Sequence, residues 1–472
     1  MPEPPKTDDA RRRPNDADWR KRAEDAERER ERLRRENERL RQQVEHLKRQ
    51  LNDARRAGFR QAAPFAKSLK KHPTRPGRKA GRAYGRKGHR RVPPRVDERY
   101  DVPLPAQCPT CAEPVVETAV ATQYQEELPV ARVVVRQFDL HVGRCTGCGR
   151  RVQGRHPLQT SDAIGAAAAQ LGAQVIALVV VLNKQLGLSF AKITSLLQQL
   201  YGLTVTRSAL VHAVHRTARQ ARPTYDALCA HVRGSPMVSP DETGWKVAGL
   251  LQWLWVFATP DTTVYRIQPG RGFEEAAAVL GADFAGVLVR DGWAPYRQFT
   301  AAAHQTCLAH LLRRCRLVAA DHPHATFATD VQAILQQALA VRDRFLSGEL
   351  SAAGLAIARG QLIARLAARL DRASGVPDVA RFAAHLDREF TAIWSFLFDP
   401  TIDATNWRAE HAIRPIVVTR KVCGGNRSWE GAESQQILAS VIRTASQRDV
   451  NPHVVLASML HRRTPSVVAE LN

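Results

Sequence analysis

The chain has 472 residues and a formal net charge of +24, from 70 Lys and Arg against 46 Asp and Glu. That length exceeds what one hydrophobic core supports and implies two or three domains with tails. The charge favours a polyanionic partner, nucleic acid before a membrane surface. The first fifty residues are charged. The longest apolar run, Ala173 to Leu182, is interrupted by Gln174 and falls short of the roughly 20 residues that span a bilayer. We therefore expect no secretory leader, no membrane partner and a cytoplasmic chain. In that compartment the eight cysteines serve as metal ligands or core residues, not disulfides.

Residues 1 to about 20 are polar and read as disordered. From Asp18 to Arg55 the sequence has no Gly or Pro, and Leu33, Leu40 and Leu47 recur every seven residues. Asn37, Val44 and Leu51 fill the alternate seam positions, so the period is that of a coiled coil. With under three heptads, a lone solvated helix is the alternative. Arg55 to Arg95 holds fifteen Lys or Arg and no Asp or Glu, with Pro and Gly interspersed. It builds no core and reads as a flexible basic linker, attracted to phosphates or simply solvated.

Cys108-Pro-Thr-Cys111 and Cys145-Thr-Gly-Cys148 follow. Two such knuckles supply the four thiolates of a closed tetrahedral zinc site, structural because no coordination position stays open; unpaired reduced thiols are the alternative. Strands are expected at Ala131 to Val135 and at Phe138 to Val142. From Ser161 to Arg222 the pattern is helical. Ser189 to Leu200 is amphipathic, a Gly202-containing turn follows, and Thr206 is an N-cap for a second helix. That is a helix-turn-helix outline, with Arg207, Ser208, His212 and His215 available to DNA; an ordinary helical hairpin gives the same pattern.

After Pro236 the period changes. Met237 to Asp241 reads as a short strand ending in a carboxylate, with strands at Leu250 to Phe257 and Thr263 to Ile267. A helix from Gly272 to Leu280 precedes a buried-type strand that ends at Asp291-Gly292. Three antiparallel strands, a helix and a fourth strand give the order of a ribonuclease-H-like sheet, whose sites lie outside the strand ends. Ala404 to Pro415 reads as a helix stopped by its proline. Ala409, Ala412 and Ile413 face the core there, while Asn406, Glu410 and Arg414 share another face. Acidic residues suit phosphodiester chemistry because hard divalent ions take oxygen ligands and clamp attacking and leaving oxygens. By pattern alone, Glu410 pairing with Arg414 on an exposed helix is as good a reading.

Asp241-Glu242-Thr243, Asp291-Gly292-Trp293-Ala294-Pro295-Tyr296, Cys307-Leu308-Ala309-His310 through Arg314, and Asn406 through Pro415 resemble the successive blocks of insertion-sequence-66-type transposases. The resemblance runs over nearly the whole chain; Trp407 departs from it, standing where a second Asn is common. It implies a bacterial, nucleoid-associated DDE transposase with Asp241, Asp291 and Glu410 as the acidic triad. The implied cofactors are catalytic Mg²⁺ or Mn²⁺ and structural zinc at Cys108, Cys111, Cys145 and Cys148. The partners are double-stranded DNA, a second copy or more on DNA, and small accessory proteins. Cys307 and His310 share a helix face and either support the site or are structural; Asn406 supports it. Arg414, Arg420, Lys421 and Arg427 are candidate phosphate contacts, and Asn426 in its glycine loop is another.

The expected architecture is multidomain α/β. It comprises an N-terminal coiled-coil dimerisation helix (1–55), a disordered basic linker (56–100), a zinc ribbon (101–156) and a helix-turn-helix region (161–232). A ribonuclease-H-like DDE catalytic domain (233–320 and 400–447) is split by an α-helical insert (321–399), and a tail (448–472) follows. Two other readings stay open: a catalytically inactive zinc and helix-turn-helix DNA-binding protein, and a structure-selective nuclease on the same fold.

Overall fold

The computed structural model describes residues 16–62, 92–128, 132–165, 170–372 and 375–461. Most of the basic linker, the first residue of the Ala131 strand candidate, the chain beyond 461 and the side chain of Leu51 lie outside the described residues. The chain divides into two compact units, Met1–Tyr124 and Gln125–Asn472.

In the first unit, α1 (Asp16–Ala62) is one helix of 47 residues. At 1.5 Å per residue it is roughly 70 Å long. Arg28, Arg32 and Arg35 pair with acidic residues one turn away, each worth a few tenths of a kcal/mol. The seam residues Leu33, Leu40, Val44 and Leu47 are half-exposed. Their apolar surface is therefore only partly covered within the chain. Cys108 begins a tight turn in this unit, its N–H donating to the Glu113 carbonyl at 2.8 Å and its own carbonyl accepting from Ala112 at 2.9 Å.

The second unit opens with a hairpin of β1 (Val142–Arg144) and β2 (Arg151–Gln153), which pair antiparallel around Cys145 and Cys148. The strands thus flank the second cysteine pair, and the described residues between 132 and 141 form none. The apolar runs read as strands there include the exposed Val134 and Val135 and find no ladder to join.

Three helices follow. α2 (Ala173–Val180) runs into a π turn over Val181–Gln185. α3 (Phe190–Tyr201) starts where the Ser189 hydroxyl accepts from the Lys192 N–H, and it stops at Gly202, whose φ of 64° suits a residue with no Cβ. α4 (Arg207–Arg233) is capped by the Thr206 hydroxyl, which accepts from the Ala209 N–H.

A five-stranded sheet comes next: β3 (Met237–Val247), β4 (Leu250–Ala258), β5 (Thr263–Gln268), β6 (Val287–Arg290) and β7 (Ala303–Thr306), with α5 (Phe273–Leu280) between β5 and β6. The spatial order is β5-β4-β3-β6-β7. β3, β4 and β5 are antiparallel neighbours, while β6 runs parallel to β3 and β7 parallel to β6. Ala248 and Gly249 turn β3 into β4 with positive φ at both, as a two-residue hairpin turn matched to strand twist requires. β3 does not end at Asp241. Its ladder with β6 stops at Val238, but pairing with β4 carries the strand on to Val247.

Side chains alternate between the faces of the sheet. Trp255, Phe257, Val264 and Leu288 share a core with α2, α3, α4, α12 (Trp429–Gln447) and α13 (Pro452–His461). Leu254, Val256, Tyr265 and Ile267 meet Ala409, Ala412, Ile413 and Ile416 of α11 (Trp407–Cys423). The stretch read as a tail thus contributes a packed helix, with Val455, Leu456 and Leu460 buried. A third core joins Val289 to α6 (Leu308–Asp321), α7 (Phe327–Leu346), α8 (Ala352–Leu370), α9 (Pro377–Arg388) and α10 (Ser395–Phe398).

The free edge of β5 is sealed by α12. The β5 N–H groups of Ile267, Tyr265 and Thr263 donate to side chains of Gln436, Ser440 and Thr444 at 2.9, 2.9 and 3.1 Å. These acceptors stand four residues apart on one helix face, so a helix completes the ladder that a sixth strand would otherwise make. α11, in contrast to the expectation, continues through Pro415. Pro415 and His411 both face solvent, so the carbonyl that proline leaves unpaired can turn to water, while Ile413, Ile416 and Val417 hold the buried face. The helix ends at Gly424, φ 73°. Among the described residues no helix is long and apolar enough to cross a membrane.

Candidate active site

Asp241 stands within β3 and Asp291 just past the end of the neighbouring parallel strand β6, at matching offsets from the last β3–β6 pair. Asp291 directly follows β6, and Asp241 lies three positions beyond the last β3–β6 pair. Asp241 accepts from the Glu242 N–H at 2.8 Å and Asp291 from the Trp293 N–H at 2.9 Å, so one oxygen of each carboxyl is anchored by local backbone. Glu410 arrives from α11. The Asn406 side-chain amide donates to the Pro240 carbonyl at 2.8 Å, and its backbone N–H points to the Cys307 sulfur at 3.1 Å. Asn406 thereby ties the start of α11 both to β3, one residue before Asp241, and to the N-cap of α6. His310, in the first turn of α6, comes within 3.5 Å of Glu410.

Electrostatics report the crowding. Burial pushes the Asp241 carboxyl well above the usual carboxylate range, and the charges of Glu242, Glu410 and Asp291 push it further. Burial disfavours protonated His310, but Cys307, Asp291 and Glu410 outweigh it and raise the imidazole to about 9. The structure therefore brings Asp241, Asp291, Glu410, Cys307, His310 and Asn406 into one neighbourhood. Among the described residues, no group of three or more His, Cys, Asp or Glu side chains is arranged to hold a metal ion. The donor chemistry still suits a hard cation: oxygen ligands, partly sunk from water, with several acidic groups crowded around Asp241 whose mutual repulsion a cation would relieve. Magnesium commonly takes one or two carboxylates and completes its shell with water and substrate phosphate, so a preformed cage is not required.

A second ring stands behind these groups. Glu242 is almost fully buried; it accepts from Arg271 Nε at 2.6 Å and from the Tyr296 hydroxyl at 2.7 Å. The Arg271 guanidinium lies 4.0 Å from the Trp293 ring centroid and 4.8 Å from that of Trp253. Trp293 Nε1 donates to the Arg271 carbonyl at 3.3 Å. Arg271 thus links the Asp241-Glu242 strand to the Asp291-Gly292-Trp293 turn. Sequence reasoning missed this role. Glu242, Trp293 and Tyr296 lie beside the aspartates in the quoted blocks, whereas nothing local marks Arg271.

The candidate DNA contacts divide. Arg207, Ser208 and His212 are exposed on the first turns of α4, while His215 lies 3.1 Å from Glu430 of α12. Arg414, Lys421 and Arg427 are exposed. Arg420 is engaged with β3, donating to the Thr243 hydroxyl at 2.8 Å and to the Gly244 carbonyl. Asn426 is a strut: its Oδ1 accepts from Trp245 Nε1 at 2.8 Å, and its backbone pairs with Lys246 and Ala248. Gly425 beside it has φ 112°, and a Cβ there would come 2.3 Å from the Lys246 carbonyl, so only glycine closes this loop on the hairpin.

Each cysteine knuckle is described within its own unit. Cys108 and Cys111 belong to the first, Cys145 and Cys148 to the second. The local conformations match: Cys145 repeats the two hydrogen bonds of Cys108, at 2.8 and 2.9 Å, and Gly149 repeats the positive φ of Ala112. Backbone N–H groups of Thr110 and Cys111 lower the Cys108 thiol, and those of Cys148 and Gly147 lower that of Cys145.

The sequence profile of the Transposase IS66 family matches residues 168–434, more than half of the chain, from before α2 into α12. The chain belongs to this family. Every strand of the five-stranded sheet and all three candidate carboxylates of this IS66-family chain lie inside the matched region. Two proteins of Sinorhizobium fredii (strain NBRC 101917 / NGR234) are similar to it. Uncharacterized protein y4jD is 28% identical over 297 residues, which cover 56% of this chain and 57% of the relative. Uncharacterized protein y4qI is 24% identical over 297 residues, covering 55% and 54%. The chain thus matches little more than half the length of either relative.

Proposed function

We propose that this chain is a DDE transposase that cuts DNA and joins the ends with the aid of divalent metal ions. The reading rests above all on the convergence of Asp241, Asp291 and Glu410 from β3, β6 and α11. Membership of the IS66 transposase family supports it. The strand order and directions support a ribonuclease-H-like sheet, with α6 to α10 containing the insert. Asp241, Asp291 and Glu410 would hold Mg²⁺ or Mn²⁺. Bound there, the ions supply charge neutralisation at the scissile phosphate and an activated oxygen nucleophile. The chain's own residues set the stage. Asn406 orients Glu410, the Arg271 stack holds both aspartate-bearing segments, and His310 offers a positive group against the acidic cluster.

Around this centre, the exposed first turns of α4 and the exposed Arg414, Lys421 and Arg427 would contact phosphates of double-stranded DNA. The half-exposed seam of α1 supports pairing with a second copy, and α3 with α4 is read as a helix-turn-helix. A requirement for small accessory proteins rests on the resemblance alone. In a cleavage assay on element-end DNA, EDTA should abolish cutting, and Mg²⁺ or Mn²⁺ should restore it together with strand transfer. Cleavage in excess EDTA would refute the reading. Hydrolysis that never yields joined products would favour the nuclease alternative, and binding without cleavage under any metal would favour the inactive one.

The matching turns at Cys108 and Cys145, each aiming backbone N–H groups at sulfur, support structural zinc on the four thiolates. Elemental analysis of purified protein should find one zinc per chain, lost when Cys108 and Cys145 are both changed to Ser. Zinc content unaffected by that pair of changes would contradict the proposal.

A further inference from the structure

We propose that the helical insert positions Asp291 for metal binding through Glu389, a buried carboxylate whose two arginine partners hold the backbone carbonyls of that aspartate and of the residue after it. The inference rests on the reading of Asp291 as a metal ligand. Glu389 follows α9 directly, and its side chain is fully shielded from solvent. One oxygen accepts from Arg290 Nη1 at 2.6 Å and from the Thr306 hydroxyl at 2.7 Å; the other accepts from Arg297 Nη1 at 2.9 Å. Both arginines reach on to the segment that carries the candidate ligand. Arg290 Nη1 donates to the Asp291 carbonyl at 3.0 Å, and Arg297 Nη1 lies 3.4 Å from the Gly292 carbonyl. A single carboxylate of the insert thus gathers the end of β6, the end of β7 and the loop after Asp291.

The contact is close as well as charged. A Cβ on Gly292 would come 2.4 Å from the His385 ring of α9, so any larger residue there would have to push that ring aside. The rest of the junction is also hydrogen-bonded. Gln305 of β7 accepts from the Phe396 N–H at 2.9 Å, and the Ser395 hydroxyl donates to the His304 carbonyl at 2.6 Å. A buried cluster of charges is a poor way to add stability, because apolar residues of like volume often serve as well. Directional bonds to two consecutive carbonyls do what apolar packing cannot: they set the angle at which the chain leaves β6, and with it the aim of the Asp291 carboxylate. Positioning within about half an ångström is what metal-centred chemistry demands of its supporting shell.

The test compares the full chain with Arg297→Gln, Glu389→Gln and Asp291→Asn. Arg297 is partly exposed, so its variant keeps the fold if Glu389→Gln does not. The readouts are Mn²⁺ affinity by calorimetry, the Mn²⁺ concentration for half-maximal cleavage, and DNA binding. We expect Arg297→Gln to weaken Mn²⁺ binding and raise the half-maximal concentration at least tenfold, with DNA binding unchanged and partial recovery in Arg297→Lys. If Asp291→Asn is inactive while Arg297→Gln and folded Glu389→Gln keep the unaltered Mn²⁺ requirement, the insert does not position the aspartate and the proposal is overturned. Activity lost only in proportion to unfolded protein overturns it too. If Asp291→Asn cleaves like the unaltered chain, the ligand reading itself fails and the inference falls with it.

Discussion

Asp241→Asn and Asp291→Asn should each lower DNA cleavage by about three orders of magnitude or more, with DNA affinity changed only severalfold. Asparagine keeps the size of the side chain and its hydrogen bond from the neighbouring N–H, so neither local fold is disturbed. What it removes is the anionic oxygen that a divalent ion needs. In Asp241 it also removes a charge that burial and three nearby carboxylates already oppose. The variant should therefore be at least as stable as the parent, and loss of activity cannot be laid to unfolding. Cleavage kinetics on end DNA, gel-shift titration and a thermal melt check the three parts. Retained cleavage in both variants would remove the acidic centre from the account.

Arg271→Ala is expected to destabilise the second unit by about 3–5 kcal/mol, the usual cost of leaving a buried charge without its partner. Glu242 is the charge in question, buried, and among the described residues Tyr296 is then its one remaining hydrogen-bond partner. Loss of the guanidinium from between Trp253 and Trp293 adds to the effect. Lys in place of Arg restores the charge but neither the planar stack nor the fork, so it should recover less than half of the loss. The double variant Arg271→Met with Glu242→Gln should be more stable than Arg271→Met alone, since no unpaired charge then remains. Urea unfolding followed by tryptophan fluorescence measures all four proteins. A cost below about 1 kcal/mol for Arg271→Ala would show that water, not Arg271, compensates Glu242.

The features legible in the sequence were those written locally. Ser189, Gly202 and Thr206 bound α3 and α4 because caps act within one turn. The β4 and β5 strands follow from runs rich in apolar, aromatic and β-branched residues on either side of a Thr-Pro-Asp-Thr turn. Asp241 and Asp291 stand out as acids that close strand-like apolar segments, whereas Glu410, inside a helix, is singled out by the family resemblance and not by its local pattern. What escaped depends on distant partners. β7 is four residues, Ala-His-Gln-Thr, and has no apolar signal of its own. Gln436, Ser440 and Thr444 look like an ordinary polar stripe until the β5 edge is placed beside them. Pro415 signals a stop by a local rule, whereas the buried side of α11 carries the helix on to Cys423. Glu389 lies about a hundred residues from Arg290, and only the fold joins them.

The central claim is that Asp241, Asp291 and Glu410 hold the metal that serves the scissile phosphate. Its most direct test is the Mn²⁺ anomalous signal in a crystal of the full chain bound to a cleaved DNA end. The account predicts manganese coordinated by all three carboxylates, with two ions about 3.5–4 Å apart if both positions fill. Manganese held elsewhere, or held there without Glu410, would contradict it.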